Sequence, residues 1–184
     1  LGDKERFLEI ASCIKREGID DLMNWLEKSD FFTAPASRAY HGAYEGGLLH
    51  HTLNVYDQFQ RLRQAYPEVK CTDETAAIVT LMHDFCKIGL YGTEKRNRKN
   101  DQGKWEQYDA YKYDEKLKFG FHGPKSMYLV QYFIKLQPEE AAAIACHMGA
   151  FENEHVGDAY TQHPIAFLLH VADEAATYLD EGNE

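Results

Sequence analysis

The stretch TDETAAIVTLMHDFCKIG, residues 72–89, decides the fold class. Thr72 or Asp73 is a favourable helix cap, Ala77, Ile78, Leu81, Met82 and Phe85 recur at helical spacing, and Gly89 is a stop signal. The spacing predicts a helix from about Thr72 to Ile88. His83, Asp84 and Lys87 fall at its close, and an i, i+4 separation puts His83 and Lys87 on one face. An imidazole, a carboxylate and an ammonium are thereby gathered at one end of an otherwise apolar helix.

Working upstream, GGLLHHTLNVYDQFQRL (residues 46–62) is a second strong helix, with Leu48, Thr52, Val55, Phe59 and Leu62 in one stripe that ends before Pro67. His51 points with this stripe. His50, about 100° away around the helix, belongs to the surface or supports its neighbour. The segment DFFTAPASRAYHGAYE (30–45) has no period and reads as a loop that can line a pocket. Before it, Phe7, Ile10, Ala11 and Ile14, and then Leu22, Trp25 and Leu26, predict two opening helices.

Downstream, residues 90–119 are rich in Lys, Arg, Tyr and Asn. Asp101-Gln102-Gly103 between two polar, partly aromatic stretches predicts a small hairpin or ordered lid, with a disordered insert as the alternative. Helices resume around Gly123-Pro124, Pro138-Glu139-Glu140 and His163-Pro164, where proline suits a first helical turn. LLHVADEAA places Asp173 on the last helix, with His170 one turn earlier in a hydrogen-bonding or a core role. Glu152, Glu154 and His155 read as a polar loop. The expected fold is all-α, one domain over residues 1–184, with an insertion around 90–119.

Composition sets the limits of this reading. The 184 residues suit one domain with a single core, and 44% apolar with 27% charged residues is ordinary for a globular chain. No apolar run is long enough to cross a bilayer, so a cytoplasmic protein is expected. Cys13, Cys71, Cys86 and Cys146 are widely spaced, without a CxxC pair, and read as reduced thiols. A net charge of -10 argues against a broad grip on nucleic acid, though not against a small nucleotide. Oligomeric state is not legible.

Three helices can aim His51, the His83-Asp84 pair and Asp173 at one point, and buried imidazoles and carboxylates are costly unless paired or bound to metal. In order and in flanking phrases (GGLLHHTLNV, LMHDFCKIG, HPIAFLLHVADEAA) the chain resembles the HD superfamily of metal-dependent phosphohydrolases over about residues 40–180. The phrase HGAYEGGLLHHT is similar to the HD module of bacterial exoribonucleases of the YhaM kind. The resemblance implies an HD-like helical bundle in which His51, His83 and Asp173 bind one divalent metal. In its dinuclear form His122 and His147 bind a second, bridged by Asp84. The cofactor would be one or two ions of Mn, Fe, Co, Ni or Zn, with Mg possible in principle.

The implied activity is hydrolysis of a phosphate ester, by a phosphomonoesterase or phosphodiesterase, on a nucleotide or similar small molecule. Asp84 and Lys87 would be its catalytic residues, Lys87 either steadying a phosphate or pairing with a carboxylate. Lys95, Arg96, Arg98 and Lys99 would bring charge to the substrate's leaving part, or else lie on a solvated loop. Tyr40, Tyr44, Tyr91 and Trp105 would stack on a base or simply pack. Two alternatives use the same ligands: a di-iron oxygenase, and a non-catalytic nucleotide sensor.

Overall fold

Most of the expected helices form where the apolar spacing puts them. The computed structural model describes residues 2–182. Helix α1 (Asp3–Ala11) and α2 (Ile19–Lys28) open the chain, and α3 (Gly47–Ala65) and α4 (Asp73–Met82) follow the loop at 30–45. A hairpin of β1 (Tyr91–Lys99) and β2 (Trp105–Tyr113) precedes α5 (His122–Gln131), α6 (Pro138–Cys146), α7 (Val156–Gln162) and α8 (Pro164–Ala175). A π-helical turn, Ala176–Asp180, prolongs α8. The chain is thus mostly helical with one two-stranded antiparallel hairpin. No helix among the described residues is long and apolar enough to cross a membrane.

Helix α4 is the centre of the packing, buried at every residue from Thr75 to Met82. Helix α3 lies against α4 and α8, and α6 lies against α5, α8 and α4. Phe59, Ile78, Leu81, Phe85, Ile144 and Leu169 fill the space between them. Gly123 lets α5 approach α6, since a Cβ there would collide with the Ala145 carbonyl. Gly42, at φ +60°, turns the 30–45 loop back so that its carbonyl lies on Gly47 at the start of α3.

The structure departs from the sequence reading in two elements. The helix expected to run to Ile88 ends at Met82, and a 3-10 turn, Phe85–Lys87, carries the chain onward. The His83 side chain folds back on its own last turn, with Nδ1 2.8 Å from the Thr80 carbonyl, and Asp84 leaves helical geometry at φ -104°, ψ 20°. Helix α7 forms just beyond the polar 152–155 segment, where no clear apolar period announced it.

Between Asn100 and Lys104 the hairpin closes on a tight turn, in which Lys104 and Gln102 N–H groups donate to the Asn100 side chain. Its register pairs Tyr91 with Tyr113 at the base and Lys99 with Trp105 at the tip. A lone two-stranded sheet is marginal without support. Here the base supplies it: the Tyr91 and Tyr113 rings lie 5.6 Å apart, and the Arg38 guanidinium sits 5.5 Å from the Tyr113 ring centre.

One ionic cluster fastens the bundle near its N-terminal end. Glu140, fully buried in the first turn of α6, accepts from Arg16 Nη2 at 2.8 Å and from Thr75 Oγ1 at 2.9 Å, and caps its own helix through the Gln137 N–H. Arg16 also reaches Glu74. Removing one member of a buried ion pair leaves the other charge uncompensated. Arg16→Met should therefore lower stability by about 3 kcal/mol, read as the shift in urea midpoint at unchanged slope.

Candidate metal centre

The centre is built at helix ends. His83 is the residue that closes α4 and His147 the residue that closes α6, and both use the same device. Each imidazole turns back so that Nδ1 lies 2.8 Å from the carbonyl three residues earlier, Thr80 for His83 and Ile144 for His147. Carbonyls of a last helical turn lack an intrahelical partner, which makes them ready acceptors. A carbonyl can only accept, so Nδ1 carries the proton in both rings and Nε2 is left as a bare lone pair.

His51, in the second turn of α3, has its Nδ1 tied to an acceptor in the same way. Its Nδ1 stands 3.1 Å from both carboxylate oxygens of Glu181, and Glu181 is held in turn by Asn54 Nδ2 at 2.9 Å. The three Nε2 atoms, of His51, His83 and His147, are the buried side-chain nitrogens or oxygens without a hydrogen-bond partner among the described residues.

Two carboxylates face these nitrogens. Asp84 Oδ2 is 3.5 Å from both His51 Nε2 and His83 Nε2, and its Oδ1 is 3.7 Å from His147 Nε2. Asp173 Oδ1 is 3.1 Å from His51 Nε2 and 3.9 Å from His83 Nε2. A lone pair facing a carboxylate oxygen is repulsive unless a proton or a cation lies between them. His51, His83 and Asp173 gather their ligand atoms tightly enough to hold one metal ion, and imidazole with carboxylate is a donor set that transition metals favour.

The protonation states of the metal-free chain follow from the same contacts. Burial works against a charge on His51, but Asp173 and Glu181 outweigh it and push the imidazole up to about 9. For His83 burial wins, against the pull of Asp84 and Asp173, and the ring falls to about 4. Burial also opposes ionisation of Asp84 and Asp173. Lys87 and His83 nevertheless hold Asp84 well below the usual carboxylate range, and His51 does the same for Asp173.

No family model, curated protein or solved structure matches the chain.

Of the residues singled out in the sequence, His51, His83, Asp84, His147 and Asp173 are brought together. Lys87 joins them by an ion pair, Nζ to Asp84 Oδ2 at 2.7 Å, rather than by stacking under His83 on a continuous helix. His122 is not brought in. It begins α5 with its side chain 47% exposed, and its Nδ1 is 3.1 Å from Glu152 Oε1. That carboxylate also accepts the His122 backbone N–H at 2.8 Å, an anchoring suited to the positive end of a helix. His170 contacts the centre indirectly, Nδ1 to the His147 carbonyl at 2.8 Å, and His50 lies at the surface against Asp3.

The basic run of the hairpin is spent within the hairpin. Lys95 pairs with Asp109, Arg96 with Glu94 and Arg98 with Glu106, while the Lys99 ammonium sits 5.6 Å from the Trp105 ring centre. The charge that the sequence offered to a substrate is neutralised locally, and Trp105 stands at the tip, not at the base.

Three residues of the centre escaped the sequence reading. Glu181 lies beyond the last apolar stripe, Asn54 is one turn after His51 on α3, and His41 sits in the loop with its ring centre 5.3 Å from that of His51. Asn54 carried a signal, a polar residue at i+3 from a ligand on an inward face. Glu181 carried none: it lies eight residues after Asp173, about 80° round a regular α-helix. The wider π turn, with the Glu181 N–H bonded to the Ala176 carbonyl at 3.0 Å, brings it onto His51.

Carboxylates that orient a ligating histidine are worth about 10–100-fold in metal affinity. Glu181→Gln should weaken binding of Mn or Zn by that order, measured by competition with a chelating dye. Acid dependence follows from His51. Its ion pairing stabilises the metal-free fold fully below pH 6.5 and is lost as pH rises through about 9. Metal binding runs the other way, because the His51 proton must leave. Titration calorimetry near pH 7 in buffers of differing ionisation enthalpy should show proton release on metal addition, with affinity rising toward pH 9.

Proposed function

We propose that the chain is a metal-dependent phosphohydrolase of the HD type, with an HD-like bundle, acting on a nucleotide or similar small phosphate ester. The observation that carries this is the convergence of three buried histidine Nε2 atoms, each with its Nδ1 tied to an acceptor, on Asp84 and Asp173. Those positions are the ones on which the sequence resembles that superfamily. His51, His83 and Asp173 would hold the first metal, with Asp84 and His147 extending the ligand set toward a second. When bound, a divalent cation supplies Lewis acidity toward a phosphoryl oxygen and toward water.

The remaining steps belong to the chain's own side chains. The centre is closed on most sides, with His51, His83, His147 and Asp84 at most 4% exposed at their side chains. It opens where Asp173 is 13% and Lys87 14% exposed. A phosphate arriving by that side would meet the Lys87 ammonium there. Asp84 holds that ammonium in place and keeps it charged, since burial alone would discharge it but the carboxylate raises its pKa instead. Lys87 thereby serves as a fixed point charge for the anionic substrate. Cys86 is no nucleophile: it is buried, and burial pushes its thiol well above the ordinary range.

Assay of the purified protein with Mn against nucleoside mono- and diphosphates and generic phosphate esters should show turnover. Asp84→Ala should reduce it by more than the roughly 10–100-fold that loss of an orienting group costs. Absence of turnover with any metal, or turnover indifferent to Asp84→Ala, would sink the reading. Activity with redox-inert Zn or Mg separates it from oxygen chemistry.

A further inference from the structure

A cleft of about 610 Å³ opens beside the centre, between the loop at 39–41 and the π-helical turn that follows α8. Tyr40 and His41 line one side, and Thr177, Tyr178 and Glu181 the other. Its volume lies in the range of small-molecule sites. It adjoins the centre directly: Glu181 touches His51, and the His41 ring lies 5.3 Å from the His51 ring, centre to centre.

The walls discriminate between parts of a substrate. No lysine or arginine lines the cleft among the described residues, and the Glu181 carboxylate does, so a phosphate finds no ammonium or guanidinium there, whereas Lys87 stands at the centre. Tyr40 and Tyr178 stand 80% and 70% exposed. Two phenol rings left in water beside a cleft offer faces on which a planar ring can stack. The Thr177 hydroxyl and the His41 imidazole add groups able to donate to or accept from a heterocycle's edge.

We propose that this cleft seats the uncharged planar end of the substrate, a nucleobase stacked on Tyr40 and Tyr178, while the phosphate lies at the metal centre. The assignment rests on the phosphohydrolase reading for the phosphate's position, but the cleft's own specificity can be tested without it. It makes the selectivity of the protein a property of two exposed aromatic side chains at the rim, separate from the ligands beneath.

The test uses phosphate-free probes, adenosine and uridine, with the whole chain, followed by tyrosine fluorescence and ligand-observed NMR. At least one nucleoside should bind, and Tyr40→Ala and Tyr178→Ala should each weaken it by about tenfold, the lower part of the range for one base–aromatic stack. Both rings are largely exposed, so both variants should fold as the parent does. Where nucleotides are hydrolysed, the kcat/KM ratio of a nucleoside monophosphate over glycerol phosphate should fall by the same factor. Binding sensitive to both substitutions, in a protein that hydrolyses nothing, upholds the cleft and removes the hydrolase reading. Nucleoside binding that is absent, or indifferent to both substitutions, overturns the cleft and leaves any nucleotide turnover to support the hydrolase reading alone.

Discussion

Three buried imidazole Nε2 atoms facing two carboxylates, in a space that opens only beside Asp173 and Lys87, form the constraint on which the rest of the structure depends. Polar atoms in that setting are expensive, and the fold spends much of its local geometry making them tolerable. Helix α4 stops at Met82 so that His83 can turn inward, α6 stops at Cys146 for His147, and the chain beyond α8 is wound more widely to carry Glu181 to His51. In each case the outer nitrogen is tied to an acceptor, and the inner one is left to whatever positive charge enters. Lys87 supplies part of that charge, but at one oxygen of Asp84 only.

The sequence was legible where periodicity and chemistry coincided. His51 could be aimed because it sits on the apolar stripe of a long helix, and Asp173 because it follows a strongly apolar run. The turn at Asp101-Gln102-Gly103 marked the hairpin through its residue types. His83 was placed correctly on a helix end but by the wrong local geometry. A continuous helix through Ile88 satisfies the spacing equally well, whereas the backbone turns away at Asp84, with His83 Nδ1 paired to Thr80. Glu181 was invisible because its contact depends on an i to i+5 turn, which leaves no apolar pattern to read.

His122 and the basic hairpin show a different limit. Both were read by residue type, and both find partners that residue type does not reveal. Glu152 takes His122 from across thirty residues of chain, and three of the hairpin's four leading cations face acids on the same two strands. Exposed pairs of this kind contribute little stability, but they remove the excess charge that would have made the hairpin attractive to anions. The chain's net charge of -10 is consistent with that economy of cations.

The π-helical turn gives the two ends of the molecule unequal tolerance to changes in length. A residue added at the Asn100–Lys104 turn lengthens a loop between exposed strand ends and leaves the base of the hairpin where it is. A residue added within Ala176–Asp180 would instead rotate everything after it by about 100°. Glu181 would then leave His51 while every helix of the bundle remained intact. An insertion at this one turn should thus separate a folded chain from a functional centre, which substitutions in the core cannot do cleanly.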